Sequence, residues 1–138
     1  MLINDDFLDT IALDAKSSAR LRMNRDMRNS STDQSQRMIN ALEPNTNLPI
    51  HRHRKTSETQ ILIRGKIDVI YYNDKGNEIQ RFHLDPLHGT YGINIPAGQW
   101  HSLEVLESAI IFEAKDGPYT PLTSEDQIIQ RNISINIK

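Results

Sequence analysis

Residues 51–65 read HRHRKTSETQILIRG, and the reading of this stretch decides the fold. His51, His53 and Glu58 fall within eight positions, directly ahead of a strand-like apolar run. Successive side chains on a strand alternate faces, so His51 and His53 point to one side if Arg52 points to solvent. Two imidazoles so placed can grip one ion together. A fourth candidate, His101, sits in a second block, IPAGQWHSLEV at 95–105. Neutral imidazole and carboxylate are usual ligands for divalent zinc, iron, nickel and manganese.

Outward from this stretch, the chain from Leu48 reads as short strands separated by turns. Glu58–Arg64, Gly65 and Lys66–Tyr72 have the pattern of a tight hairpin. NDKGN at 73–77 is a turn in which Gly76 can take positive φ, and Glu78–Leu84 is the returning strand. DPLHG at 85–89 is a loop, Thr90–Ile95 a strand and PAGQ at 96–99 a turn. His101–Leu106 and Ala109–Ala114 read as a further antiparallel pair around Glu107 and Ser108. DGPYTP at 116–121 breaks the pattern, and Ile128–Ile137 could form a last edge strand.

Ahead of the strands, Asn4 or Asp5 can cap a short helix with Leu8, Ile11, Ala12 and Ala15 on one face. A second helical segment is expected over Asp33–Leu42, where Met38, Ile39 and Leu42 are apolar and Pro44 ends the run. Between them, RLRMNRDMRNSSTD at 20–33 could hold a short strand, but its periodicity does not decide.

Composition sets the class. A chain of 138 residues with 37% apolar and 25% charged residues suits one globular domain with a real core. A net charge of −2 argues against broad electrostatic binding to nucleic acid or to anionic membrane. With no cysteine, any ion must be held by nitrogen and oxygen. The start, MLINDDFLDTIALD, reads as neither signal peptide nor membrane span, so a cytoplasmic location is expected. No phosphate-binding glycine loop, nucleophile elbow or zinc-protease helix is present.

These residues resemble a cupin. The first cupin motif has two histidines one apart, a glutamate about five residues on and a later glycine, matched by His51, His53, Glu58 and Gly65. The second has a Pro-x-Gly turn followed by a histidine, matched by Pro96, Gly98 and His101. Asn45 or Thr46 stands where a glycine usually opens motif one, and Val105 where an asparagine often closes motif two. More narrowly, QRMINALEPNT at 36–46, the HRH block and GPYTP at 117–121 resemble the WbuC family of cupin-fold metalloproteins, over residues 20 to 121. This resemblance implies a small bacterial metal-binding cupin associated with surface-polysaccharide gene clusters. It names no substrate.

The resemblance implies an all-β fold: a cupin double-stranded β-helix, or jelly-roll barrel, with a short N-terminal helical arm. The expected division is an arm over 1–45, a core over 46–121 and a C-terminal segment over 122–138. One divalent first-row transition metal ion (Zn, Fe, Mn, Ni or Co) is expected on His51, His53, Glu58 and His101. Three nitrogens and one carboxylate leave coordination positions open for a ligand. Alternation places Gln60 and Leu62 on the wall with Glu58, and Leu103 and Val105 with His101. Trp100 falls on the opposite face or in the turn, as packing or an interface anchor. His83 and His88 read as loop or surface residues. Tyr119 lies either in a flap over the site or in a plain turn.

Arg20, Arg22 and Arg25 form the local basic cluster. Arg20 and Arg22 share a face if that stretch is extended, and either contact an anion or form a solvated surface. No catalytic residue is assigned; Glu113, Tyr71 or a water activated by the ion would have to act as base. The expected function is an isomerase- or epimerase-like action on a sugar-derived small molecule. A non-haem iron dioxygenase and a non-enzymatic metal-assisted binding or sensing module remain alternatives. A homodimer is expected from edge-strand pairing.

Overall fold

The computed structural model describes residues 1–129. One helix, α1 (Asp5–Ser17), precedes eight strands: β1 (Arg22–Asp26), β2 (Ser35–Leu42), β3 (Ile50–His51), β4 (Glu58–Tyr72), β5 (Glu78–Leu84), β6 (Gly92–Ile95), β7 (Trp100–Asp116) and β8 (Gln127–Ile128). The rest of the expected last strand, beyond residue 129, lies outside the described residues.

Two long strands organise everything else. β7 pairs antiparallel with β4 from Glu58↔Lys115 to Tyr72↔Trp100. On its other side β7 meets β3 at His51↔His101 and β2 along Ser35↔Asp116 to Leu42↔Ala109. β4 carries β6 beside its first half and β5 beside its second half. β1 adds to β2, and β8 to β3. The result is a jelly-roll arrangement: one half reads β1-β2-β7-β4-β6, the other β8-β3-β7-β4-β5.

Both expected hairpins within β4 and β7 are corrected by this pairing. β4 continues through Gly65, and β7 continues through Glu107 and Ser108. Their register shifts between Leu62 and Ile67, so the two strands bend together instead of reversing. Gly65 has φ 88°, and a Cβ there would lie 2.2 Å from the Ser108 carbonyl oxygen. Only glycine fits this crossing.

The expected helix over Asp33–Leu42 is also corrected: Ser35–Leu42 is a strand. Its two faces are both covered. Ile39 and Ala41 pack under α1 with Ile110, while Leu42 joins the barrel core. Burial on both faces erases the alternation that marks a half-exposed strand. α1 itself is as expected. The Asn4 side chain accepts a hydrogen bond from the Phe7 amide, and Leu8, Ile11 and Ala15 are buried.

The barrel core is apolar, with Ile67, Val69, Leu84, Ile95 and Ile111 among its members. A smaller cluster of Ile50, Ile70, Tyr72 and Trp100 closes the β3 end. Among the described residues, no helix is long and apolar enough to cross a membrane.

Candidate metal centre

Four chain segments meet inside the barrel. β3 delivers His51, the loop after it His53, the start of β4 Glu58, and the start of β7 His101. The backbone ties the segments together. His51 pairs with His101 across the sheet, and the Gly98 amide donates to the His53 carbonyl at 2.7 Å. Both motifs are thus clamped into one wall.

The ring nitrogens have assigned duties. His51 Nδ1 lies 3.0 Å from the Pro49 carbonyl, and His101 Nδ1 lies 2.9 Å from the Gln99 carbonyl. A carbonyl can only accept, so each Nδ1 carries the proton and each Nε2 presents a lone pair. His101 Nε2 approaches Glu58 Oε2 to 3.2 Å without the alignment of a hydrogen bond. His101 Nε2, Glu58 Oε2 and Gln60 Oε1 are buried polar atoms with no hydrogen-bond partner. The donor atoms of His51, His53, Glu58 and His101 all lie within 4.8 Å of one another. Such convergence of buried acceptors is costly unless a cation satisfies them. The cluster is able to coordinate a divalent metal ion, and its N/O chemistry fits a first-row ion.

Electrostatics agree. Burial, reinforced by the neighbouring His101, lowers the His51 pKa to about 4. Burial and the Lys115 charge lower His53 to about 4. Both rings are therefore neutral and ready to ligate at ordinary pH. Burial raises the Glu58 pKa, but the contact with His101, donation from the neutral Glu113 carboxyl and the Lys115 charge outweigh it and hold the carboxyl below its ordinary range. Glu113 goes the other way: burial and the Glu58 charge push it well above its ordinary value.

The cluster lines one end of a cavity of about 330 Å³. Gln60 and Leu103 line it too, in keeping with alternation. Leu62 faces the same way but lies in the apolar core, as does Val105. Tyr71 is a core residue packed edge-on to Phe82 at 5.0 Å, so it is removed as a base candidate. Glu113 does line the cavity and accepts a hydrogen bond from Asn40 Nδ2 at 2.8 Å.

Arg20 and Arg22 do not share a strand face. Leu21 has φ 58°, which breaks the extended chain just before β1. Arg22 lines the cavity, whereas Arg20 does not and Arg25 reaches over the Phe7 ring. Arg52 points away from the cluster, but it covers Trp100 at 4.4 Å and pairs with Asp126 at 3.0 Å rather than entering solvent freely. Trp100 is packing. His83 and His88 lie away from the cluster, each 2.7 Å from an aspartate, Asp68 and Asp85 respectively.

Sequence reasoning missed the β1–β2 wall, from which Met23, Gln36, Met38 and Asn40 line the cavity. Reading 35–42 as a strand would have put Gln36, Met38 and Asn40 on one face. Lys115 was missed as well; its Nζ lies 3.4 Å from His53 Nε2. Tyr119 also lines the cavity, so GPYTP reaches the site as a flap would, rather than as a plain turn.

Residues 3–84 match the family described as Domain of unknown function (DUF6016). The chain belongs to that family. The DUF6016 match takes in His51, His53, Glu58 and the β1–β2 wall, and stops short of His101. No curated protein matches the chain.

Among solved structures, the chain is similar to the capsular polysaccharide assembling protein CapF from Staphylococcus aureus, with TM-score 0.64 and 18% identity over 81% of this chain and 32% of that one. It therefore spans about a third of CapF. A cupin-2 domain containing protein from Shewanella frigidimarina gives TM-score 0.56 and 19% identity over 86% of this chain and 95% of that one. Oxalate decarboxylase from Lactobacillus farciminis gives TM-score 0.53 and 17% identity over 75% and 29%. At these identities the likeness concerns the fold, which is cupin-like.

Proposed function

We propose that this member of DUF6016 is a metal-dependent cupin in which His51, His53, Glu58 and His101 hold one divalent first-row ion (Zn, Fe, Mn, Ni or Co), acting on a small sugar-derived molecule. The observation that carries the reading is the convergence of unpartnered buried atoms, His101 Nε2 and Glu58 Oε2, beside two further imidazoles. A bound ion would supply Lewis-acid stabilisation of oxygen-centred negative charge, as an isomerase or epimerase requires.

The chain's own residues complete the site. The Pro49 and Gln99 carbonyls fix the His51 and His101 tautomers. Asn40 orients Glu113, the carboxyl best placed to hold or release a proton in the cavity. Gln60 offers an unpaired amide oxygen to a ligand hydroxyl. Met23, Met38, Leu48 and Leu103 exclude water from the reacting end.

The sugar part of the proposal draws on the WbuC-type resemblance and on fold likeness to a capsular polysaccharide assembling protein, an analogy of fold. It includes a place in surface-polysaccharide biosynthesis. A homodimer belongs to the same reading, since among the described residues β1 pairs only with β2 and offers an edge.

Elemental analysis of purified protein tests the metal directly. About one equivalent of a first-row ion is expected, lost in His51→Ala and His101→Ala. A protein that neither retains nor rebinds such an ion contradicts the proposal.

A further inference from the structure

Beyond the first cavity lies a second, of about 680 Å³, on the far side of the 117–122 segment. The two share Gln36, His53, Lys115, Tyr119 and Leu122 as walls, so they are neighbouring compartments around one partition. That partition is tied down: the Gly117 amide donates to the Gln34 carbonyl at 2.7 Å, and Gln36 Nε2 donates to the Gly117 carbonyl at 3.1 Å.

The second compartment differs in charge from the rest of the chain. The whole sequence is formally −2, yet Arg52, Arg54, Lys55 and Lys115 surround this cavity against the carboxylates of Asp116 and Asp126. The two arginines are committed. Arg52 and Arg54 both hold Asp126, and Arg54 also holds Glu125. Among the described residues, neither Lys55 nor Lys115 forms a salt bridge, and Lys115, with Nζ 3.4 Å from His53 Nε2, stands where the two cavities meet. An ammonium acts as a point charge, and a phosphoryl group, with three acceptor oxygens and up to two charges, can engage two such ammoniums at once. Thr56 and Thr120 add hydroxyl donors to the same walls.

We propose that this compartment is a phosphate subsite: the ligand is a phosphorylated sugar whose phosphate lies between Lys55 and Lys115 while its hydroxyl-bearing end reaches the metal cluster. This deepens the metal-dependent reading and rests on it for the second half of the ligand. The phosphate half stands on its own geometry and is tested without metal.

Metal-free protein would be titrated calorimetrically with inorganic phosphate, glucose 1-phosphate, glucose and malate at fixed ionic strength. Saturable one-site binding of glucose 1-phosphate is expected, tighter than phosphate alone, with glucose and malate much weaker. Lys55→Glu should weaken it at least tenfold and leave zinc stoichiometry unchanged, because Lys55 is exposed and outside the cluster. In cobalt-loaded protein, glucose 1-phosphate should shift the visible absorption of the ion, an effect lost in Lys55→Glu at the same concentration.

Equal affinity for malate, no binding, or indifference to Lys55→Glu overturns the subsite. Phosphate binding as tight as glucose 1-phosphate, with no cobalt shift, overturns the bridging ligand. Absence of metal binding alongside intact, Lys55-dependent phosphate binding overturns the metal reading instead.

Discussion

His101 Nε2 stands 3.2 Å from Glu58 Oε2, both buried, with no hydrogen bond between them. The two residues come from strands paired elsewhere along their lengths, so their approach is built by the fold and not by local turns. A buried acceptor pair left this way would oppose folding without a cation between them. Metal should therefore stabilise the protein. Thermal unfolding of stripped and zinc-reloaded protein is expected to show a clear rise in Tm, since ligand at a thousandfold excess over Kd contributes about 4 kcal/mol. No rise, with zinc demonstrably bound at another place, would sink the assignment.

The metal-free protein should lose stability on acidification. His51 and His53 have pKa values of about 4 in the fold against an ordinary value of 6.5. Between these values the unfolded chain binds more protons than the folded one, so stability is full above pH 6.5 and declines as pH falls toward 4. A His51→Asn, His53→Asn double variant should flatten this window. An unchanged slope in chemical-denaturation midpoints would show that other groups govern it.

Glu113→Gln is expected to fold, to keep its metal and to match or slightly exceed the wild-type Tm. The substitution removes a carboxyl that Glu58 and burial already push toward its neutral form. Turnover of any identified substrate should fall by about 10²–10⁴ if Glu113 handles the proton. Loss of the ion in this variant would instead make Glu113 a ligand.

Gly65→Ala should be severely destabilising. The left-handed backbone alone costs about 1–2 kcal/mol for a non-glycine residue. The new Cβ would also sit 2.2 Å from the Ser108 carbonyl oxygen, forcing the long strands apart. A Tm drop of less than a few degrees would mean that the bend relaxes freely.

Ile11→Ala tests the seat of α1. Ile11 is buried against the cluster that contains Ile39, Ala41 and Ile110. Truncating it should cost about 2–5 kcal/mol. Because Ile39 and Ala41 back the strand whose other face lines the cavity, ligand affinity should fall as well. A stability loss without any effect on binding would show that the wall does not depend on the helix.

The four-residue cluster was legible because its signals are local and repeat at fixed spacing. His51, His53 and Glu58 sit within one stretch, and Pro96, Gly98 and His101 within another. Alternation along β4 correctly put Gln60 beside Glu58 and turned Ile61 outward. The helix cap and its buried face were equally local. Hydrogen bonding within four residues and a 3.6-residue stripe need no distant partner.

Tertiary structure decided the rest. Gly65 looks the same in a reversing turn and in a bend of a continuous strand; only the partner, β7, separates them. Residues 35–42 carry a helical-looking stripe because α1 covers one strand face and the barrel the other. Lys115 and Asn40 lie outside the His51–Glu58 stretch with no local pattern linking them to it, and the second cavity forms only where residues 115–122 come back against residues 52–56. Residue spacing determined which side chains could hold an ion. Long-range pairing determined what faces that ion, because contact across a sheet depends on register between segments and not on the composition of either one.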